Sequence, residues 1–199
     1  MKKEIQEDAF ASLKSYMDDF NPIDEKVWTK LLELAKIHII KKNQIIYAFD
    51  DIMTSFFYIH KGLFRAYILD DKGEQYNKNF FQEYLFFGPL SPSMYKEPIK
   101  FQIESIEDGI LIEFDNKRYR ELLLEDDSLK LFHINYVEKR LEITKNILEE
   151  NRMKDDAVTR YEKFTKNYPG LSKRLSLYHI ASYLGITPTH LSRIRKKST

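Results

Sequence analysis

The sequence predicts an α+β chain in which helices flank a central block of short antiparallel strands. Apolar residues recur at helical spacing before about residue 39 and again after Asp115. Between these limits lie short runs rich in β-branched and aromatic residues, separated by turns that contain Gly, Pro and Asp. Many short strands at regular spacing favour an antiparallel barrel or sandwich at the centre of the fold.

Composition limits the classes of protein that the chain can represent. Its 199 residues are 43% apolar, with 14 Phe and 13 Tyr, which is enough for one packed domain or for one domain and a small second one. The absence of cysteine excludes disulfides, thiolate metal sites and cysteine nucleophiles. No apolar run approaches the roughly 18 residues of a membrane span, and MKKEIQEDAF lacks the apolar stretch of a secretory signal. We therefore expect a cytoplasmic protein with no membrane partner.

Charge is distributed unevenly along the chain. Residues 1–150 hold 21 Lys and Arg against 28 Asp and Glu, a net charge of −7, whereas residues 151–199 hold 11 against 3, a net charge of +8. This asymmetry indicates that the C-terminal part meets a polyanion. The alternative is that the basic residues form a solvated surface.

The first helices are predicted from the start of the chain to about Ile37. Val27, Leu31, Leu34 and Ala35 recur at helical spacing in VWTKLLELAKI, and Asn21-Pro22 interrupts any helix before them. The predicted strands follow. They are QIIYAF, FFYIHKG, LFRAYIL, QYNKNFF, FQIESI and GILIEF, and LFRAYIL and QYNKNFF form a hairpin around Asp-Lys-Gly.

After Asp115, a short helix in DNKRYRELLLE precedes a long helix from about Ser128 to Glu150. The long helix has two apolar stripes, so both faces must be buried. One stripe consists of Leu129, Phe132, Tyr136, Ile143 and Ile147, and the other of Leu131, Ile134, Val137 (or Leu141) and Leu148. We expect the first stripe to form a homodimer interface at coiled-coil-like spacing, while the other lies on the strand domain. The alternative is that both are buried within one chain.

The last block contains a helix in DAVTRYEKFTKNYPG and then two helices joined at a glycine, SLYHIASYLG and TPTHLSRIRKK. Ala181 is small enough for a close helix crossing, and Gly185 suits the left-handed end of the first helix. Thr187 suits the N-cap of the second helix and Pro188 its first position. This is the helix-turn-helix pattern. Its predicted shared core is Ile180, Leu184, Ile186, Leu191 and Ile194.

The exposed face of the second helix combines hydroxyl and basic side chains. Thr, Ser and Arg can contact base edges, and Arg with guanine is the commonest specific pair. Arg195, Lys196 and Lys197 suit phosphates. We therefore expect double-stranded DNA as a partner. The predicted DNA-binding residues are Thr187, Thr189, His190, Ser192, Arg193, Arg195, Lys196 and Lys197.

The chain from about residue 25 to 197 resembles the Crp/Fnr family of bacterial transcription regulators. The resemblance is carried by FYIHKGLFRAYILDDKGEQ, FFGPL, KRLEIT and RYEKFTKNYPGLSKRLSLYHIASYLGITPTHLSRIRKK. It implies an α+β fold with an antiparallel, jelly-roll-like β-roll (a double-stranded β-helix) and flanking helices as sensor over residues 1–127. A dimerisation helix would occupy 128–150 and an all-α helix-turn-helix DNA-binding domain 151–199. The implied partners are DNA, a second copy of the chain, RNA polymerase and a small-molecule effector of unknown identity, or none.

The chain departs from this family where nucleotide-binding members hold their ligand. In those members FFGPL carries Glu after Gly, and an Arg-Ser pair follows a short loop. Here Pro89 stands in place of the Glu, and Ile99 and Lys100 stand in place of the pair. Binding a buried phosphate without its bidentate cation is costly, so we expect no cyclic nucleotide binding. Lys100 either receives another anion or is solvated. The residues that the resemblance implies for an effector pocket are Phe87, Gly88, Leu90, Ser91, Ile99, Lys100, Arg140 and Thr144.

A second departure lies after the recognition helix. The family usually has a β-hairpin wing there, whereas this chain stops five residues after Ile194, as expected of a short type without a full wing. Phosphate contacts would then come from elsewhere, for example from Arg160, Lys173 and Arg174.

The sequence gives little support for an enzymatic function. The five histidines, at 38, 60, 133, 179 and 190, lack the paired spacing of a metal site, and no nucleotide loop or nucleophile elbow is present. We expect no catalytic residue, no metal and no cofactor. The serious alternative to a DNA-binding regulator is a β-roll small-molecule sensor or a protein-interaction module that does not bind DNA.

Overall fold

The computed structural model describes residues 2–89, 97–151 and 155–197, with the side chains of Lys2, 146–151 and Lys197 left undescribed. The described chain forms eight helices and eight strands, named here in chain order. The helices are α1 (Lys2–Asp18), α2 (Glu25–Leu34), α3 (Asn116–Glu125), α4 (Asp127–Asn151), α5 (Ala157–Asn167), α6 (Leu171–Arg174), α7 (Leu177–Leu184) and α8 (Pro188–Lys197). The strands are β1 (Ala35–Ile40), β2 (Ile45–Tyr47), β3 (Ser55–Lys61), β4 (Phe64–Leu69), β5 (Gln75–Phe81), β6 (Phe86–Phe87), β7 (Gln102–Ser105) and β8 (Gly109–Asp115).

The described strands form two four-stranded sheets, in the orders β1-β8-β3-β6 and β2-β7-β4-β5. The pairs β1–β8, β3–β8, β3–β6 and β2–β7 are antiparallel. β1 and β8 keep one register from Ala35 opposite Phe114 to Ile40 opposite Gly109. The predicted combination of an antiparallel β-roll with helices is confirmed.

The chain divides into two compact units. The strand unit consists of Met1–Arg65 and Phe80–Leu141, and the C-terminal unit consists of Ala66–Asn79 and Glu142–Thr199. The turn of the β4–β5 hairpin therefore belongs to the same compact unit as the C-terminal helices. The functional boundaries at 127 and 150 remain a prediction.

Helices α1 and α2 each bury one face in the core of the strand unit. In α1, Ala9, Leu13 and Met17 recur at every fourth position and are all buried, as the spacing of a helical stripe requires. In α2, Val27 and Leu31 do the same. The helix ends at Leu34, three residues before the predicted end at Ile37, because the backbone from Ala35 onward pairs with β8.

The six predicted strands are all present, but β1 and β6 were not expected from the sequence. β6 has only two residues, and it pairs with Phe57 and Tyr58 of β3. Gly88 follows it with φ +109°, and a Cβ at this position would lie 2.8 Å from the Cα of Phe56. The close approach of the two backbones therefore requires glycine at this position.

The stripe of α4 that was expected to form the dimer interface is instead partly buried within the strand unit. Leu129, Phe132 and Tyr136, predicted to face a second subunit, are buried in the core of the strand unit. Tyr136 packs against Phe86 and Phe20, with ring centroids 5.2 and 5.5 Å apart, and its hydroxyl accepts a hydrogen bond from the backbone N–H of Phe86. These three side chains are already covered within one chain and are therefore unavailable for a dimer interface.

On the opposite stripe of α4, Val137 is half-buried against the core of the strand unit, but three other residues are uncovered. Leu131, Ile134 and Leu141 are 50, 49 and 64% exposed. Of the remaining predicted interface residues, Ile143 is half-buried, and the side chain of Ile147 lies outside the described residues. The apolar surface that α4 leaves to solvent therefore lies on the stripe that was expected to face the strands.

Within the described ranges, no helix combines the length and the hydrophobicity that crossing a bilayer requires.

Candidate nucleic-acid interface and β-roll interior

Helices α7 and α8 pack on each other through small and branched apolar side chains. Ile180, Ala181 and Leu184 of α7 are buried, as are Leu191 and Ile194 of α8. Ile186, in the turn, is half-buried. Tyr161 and Phe164 of α5 and Leu171 of α6 are also buried, so the pair of helices rests on a small core within the C-terminal unit.

Local hydrogen bonds hold the turn between the two helices. Gly185 has φ +64°, and its N–H donates to the carbonyl of Ser182 at 3.3 Å. The N–H of Ile186 donates to the carbonyl of Ala181 at 3.0 Å, which closes the end of α7 in the manner expected for a left-handed glycine. Thr187 then caps α8, because its hydroxyl accepts a hydrogen bond from the N–H of His190 at 3.2 Å.

The outer face of α8 is open to solvent. Exposed residues of the predicted DNA-binding set are Thr187, Thr189, His190, Arg193, Arg195 and Lys196, whereas Ser192 is half-buried and the side chain of Lys197 lies outside the described residues. Arg193 and Lys196 make no ion pair with an acidic side chain in the part of the chain that the structure describes. Two cations on this face are thus free to meet an external anion.

The three residues considered for additional phosphate contacts differ in accessibility. Lys173 is exposed, and Arg174 is half-buried. Arg160 is also half-buried, and it donates from Nη1 to the carbonyl of Asp155 at 3.1 Å. Lys173 is therefore the most accessible of the three.

Helix α7 is bonded to strand β5 of the same compact unit. The Ser182 hydroxyl donates to the carbonyl of Gln75 at 2.7 Å and accepts from the N–H of Asn77 at 3.0 Å. The buried side-chain amide of Asn77 donates to the carbonyl of His179 at 2.9 Å. Sequence reasoning missed this contact because its partners lie more than 100 residues apart in the chain.

The interior of the β-roll is packed with aromatic rings. Phe87 stacks on Phe57 with ring centroids 5.2 Å apart, and lies 5.4 Å from Phe81 and 5.6 Å from Phe64. Tyr47 adds an edge contact to Phe57 at 5.8 Å. Phe87, predicted to line an effector pocket, is thus a core residue of the strand unit.

The other predicted pocket residues that the structure describes differ in burial and in their partners. Ile99 is buried, but Lys100 is exposed and forms an ion pair with Asp50. Arg140 is half-buried in the strand unit, where its charge opposes the rise that burial causes in the pKa of Tyr136. Thr144 is exposed in the C-terminal unit. Leu90 and Ser91 lie outside the described residues.

A buried ion pair in the strand unit was not predicted. Arg65 of β4 donates from Nε and Nη2 to one carboxylate oxygen of Glu104 on β7, at 3.0 and 2.8 Å. The guanidinium is buried, so removal of Glu104 alone would leave a costly uncompensated charge. A single Arg within the apolar run LFRAYIL was the only indication of this pair in the sequence.

The histidines of the strand unit have separate polar neighbours. His38 Nε2 lies 2.7 Å from Glu113, His60 Nε2 lies 3.2 Å from Asp8, and His133 Nδ1 lies 3.3 Å from the Tyr119 hydroxyl. Across the described ranges, no three His, Asp or Glu side chains are grouped so that they could hold a metal ion.

Residues 37–126 match the family model of the cyclic nucleotide-binding domain. None of the curated proteins matches the chain by sequence.

Solved structures resemble most of the chain. FixK2 from Bradyrhizobium japonicum matches with a TM-score of 0.64 at 18% identity, over 82% of this chain and 83% of its own. A protein assigned to the Crp/Fnr family of transcriptional regulators, from Eubacterium rectale, matches with a TM-score of 0.66 at 16% identity, over 88% of this chain and 83% of its own. CLP, a c-di-GMP-responsive global regulator of Xanthomonas campestris, matches with a TM-score of 0.63 at 15% identity, over 87% of this chain and 91% of its own.

These matches cover 82 to 88% of the chain, and they agree with the fold that the motifs in the sequence predict. Residues 37–126 therefore match a cyclic nucleotide-binding domain, and the chain has the fold of the Crp/Fnr regulators, in agreement with the family resemblance found in the sequence.

Proposed function

We propose that the chain is a transcription regulator of the Crp/Fnr type, without enzymatic activity, that binds double-stranded DNA through helix α8 as a homodimer. The observation that carries this proposal is the face of α8, where hydroxyl and basic side chains are exposed on a helix anchored by the buried Leu191 and Ile194. The net charge of +8 over residues 151–199 favours a polyanionic partner.

The exposed face of α8 carries residues for base contact and residues for phosphate contact. Arg193 stands one helical turn after Thr189, and a guanidinium there can pair with the two acceptors of a guanine edge. Arg195 and Lys196 suit phosphates, which fix the position of the helix without distinguishing sequences. Thr187 is assigned to capping as well as to contact, because its hydroxyl already accepts a hydrogen bond from the N–H of His190.

Dimerisation is assigned to the uncovered stripe of α4. Ile134 and Leu141 are seven residues apart and both exposed, and Leu131 lies one turn before Ile134. Seven-residue spacing of apolar side chains is the pattern by which two helices pair along a seam. A parallel pair of such helices would present two recognition helices to half-sites about 34 Å apart on DNA.

The strand unit is assigned a regulatory role that does not use cyclic AMP. Pro89 offers no carboxylate for a ribose hydroxyl, and the buried Ile99 offers no cation for a phosphate. RNA polymerase is the further partner that a regulator of this type would require.

The test compares a base-contacting with a phosphate-contacting residue. DNA selected from a random pool by the wild-type protein should contain a palindrome, and Arg193→Ala should weaken binding to it by about 1–3 kcal/mol while it relaxes preference at one position per half-site. Lys196→Ala should weaken binding to all sequences alike, and lower the salt slope by about one. Titrations at two salt concentrations measure both quantities.

Arg118→Ala, an exposed arginine on α3, serves as the control and should leave both quantities unchanged. If Arg193→Ala and Lys196→Ala behave identically on selected and random DNA, the assignment of the two roles is wrong. If the wild-type protein retards no DNA, the alternative of a sensor or protein-interaction module without DNA binding takes the place of the proposal.

A further inference from the structure

A cleft of about 360 Å³ lies within the C-terminal unit, between the start of β5 and the helix-turn-helix. One wall is formed by residues 74–76 of the hairpin, and the other by α7 and by the turn that leads into α8. Its lining residues are Glu74, Gln75, Tyr76, Tyr178, Ser182, Gly185, Ile186, Thr187 and Pro188. The volume falls in the range of small-molecule sites, about 300–1,000 Å³.

Hydrogen bonds within the protein hold the walls of the cleft in place. The Ser182 hydroxyl is engaged as donor and acceptor by the backbone of Gln75 and Asn77. The Thr187 hydroxyl accepts from the backbone of His190. These hydroxyls therefore shape the cleft, and recognition of a ligand falls to the other side chains that line it.

The side chains of the cleft that suit a cation are two tyrosine rings and one carboxylate. Tyr76 and Tyr178 are 42 and 44% exposed although they line the same cleft. Glu74 is exposed, and its carboxylate makes no hydrogen bond or ion pair with the residues that the structure describes. Aromatic faces attract cations through their quadrupole, and a nearby carboxylate adds to the attraction, whereas the same carboxylate repels anions.

We propose that this cleft binds a small organic cation, a quaternary or protonated amine with an apolar body. The charged group would lie against the rings of Tyr76 and Tyr178 with Glu74 as its counter-ion, and the apolar body would lie against Ile186 and Pro188. This site is separate in the chain from the residues that the family resemblance implied for an effector.

The position of the cleft gives the site a consequence for DNA binding, and this part of the inference rests on the proposed function. Gly185, Ile186 and Thr187 form the turn that sets the direction of α8, and all three line the cleft. A bound cation would therefore contact the turn directly, and would alter the affinity of α8 for DNA through the turn while leaving Arg193 and Lys196 outside the cleft.

The binding test uses choline as the probe and its neutral isostere 3,3-dimethyl-1-butanol as the matched control ligand, both titrated to tens of millimolar. Backbone amide resonances of the ¹⁵N-labelled protein report on each titration. Choline should shift the resonances of the cleft, Gly185 among them, with saturation, and the isostere should shift them far less, because it lacks the charge. Equal shifts with the two compounds, or no localised shift with choline, would overturn the proposal.

Variants assign the binding to the named side chains. Tyr76→Leu and Tyr178→Leu should each weaken choline binding about 2- to 5-fold, the range for one exposed cation–π contact, and Glu74→Gln should act in the same direction. Tyr84→Leu replaces an exposed tyrosine outside the cleft and should leave the affinity unchanged. Thermal unfolding of each variant checks that the protein is folded, and unaltered choline affinity in all three cleft variants would contradict the proposal.

The effect of choline on DNA affinity is measured separately from choline binding itself. Choline at saturation should change the affinity of the wild-type protein for the selected palindrome at least about twofold, and the choline concentration that gives half of this change should rise about 2- to 5-fold in Tyr178→Leu. A protein that binds choline as described but retards no DNA would contradict the proposed function and leave the cation site standing.

Discussion

The interior of the β-roll and the outer face of α8 use their side chains in opposite ways. Phe87 is surrounded by the rings of Phe57, Phe64 and Phe81. Arg193 and Lys196 are exposed and meet no acidic partner among the described residues. The first region is filled by the protein itself and serves stability, whereas the second leaves its charges in solvent, where they are accessible to an external anion.

Two glycines show the same difference at the level of the backbone. A Cβ at Gly88 would lie 2.8 Å from the Cα of Phe56, whereas a Cβ at Gly185 would meet nothing within 4 Å. Gly88 is required by the close packing of two backbone segments, and Gly185 only by its left-handed conformation. Substitution of Gly88 in the strand unit is thus limited by packing, whereas substitution of Gly185 in the turn is limited by the backbone conformation.

The largest effect is expected from removing a ring of the β-roll interior. Phe87→Ala should lower the free energy of unfolding by about 3–5 kcal/mol, because it leaves a cavity among aromatic side chains. Urea denaturation followed by circular dichroism measures the change. The difference between the regions would be refuted if Arg193→Ala, which removes an exposed side chain, destabilised the protein equally.

The next effect concerns the face of α4 that lies outside the core. Leu131→Asp together with Leu141→Asp should separate dimers by placing charge at the seam, at a cost on the order of 2–3 kcal/mol, without unfolding the chain. Sedimentation should then show monomers of 23.9 kDa. Arg118→Ala serves as the control on an exposed face of α3, and a wild-type protein that is monomeric at tens of micromolar would contradict the interface.

A smaller effect is expected at the turn of the helix-turn-helix. Gly185→Ala should cost about 1–2 kcal/mol of stability, because alanine is disfavoured at φ +64°, and Gly185→Asn should cost less. Gly88→Ala should cost more than Gly185→Ala, since φ +109° lies outside the left-handed region open to alanine and the added Cβ would also clash with the backbone of Phe56. Thermal unfolding of the three variants ranks them, and equal costs at the two glycines would show that packing does not distinguish the two regions.

No effect is expected from cyclic AMP. A nucleotide bound with micromolar affinity would stabilise the protein by about 4 kcal/mol at millimolar concentration. We expect no shift of the melting temperature, because Ile99 provides no cation and the ammonium of Lys100 is paired with Asp50. A rise of several degrees would show that the folded protein binds the nucleotide and would contradict this expectation.

The sequence by itself determined the features that depend on neighbours within one or two helical turns. The core positions Ile180, Leu184, Leu191 and Ile194 follow from helical periodicity on either side of one glycine, and all four are buried. The six predicted strands follow from short β-branched and aromatic runs between turn residues, and all are present. Pro89 and Ile99 could be identified as departures from the pattern of the nucleotide-binding family members, because the residues of that pattern lie close together in the sequence.

Tertiary structure decided what local periodicity leaves open. Both stripes of α4 are apolar at helical spacing, and contacts with rings such as Phe20 and Phe86 hold Phe132 and Tyr136 in the core, leaving Leu131 and Leu141 to solvent. The hydrogen bonds from Ser182 to β5 and the ion pair of Arg65 with Glu104 join residues 39 to 107 positions apart. Such pairs leave no periodic pattern along the chain, because their partners are brought together only when the strands and helices pack.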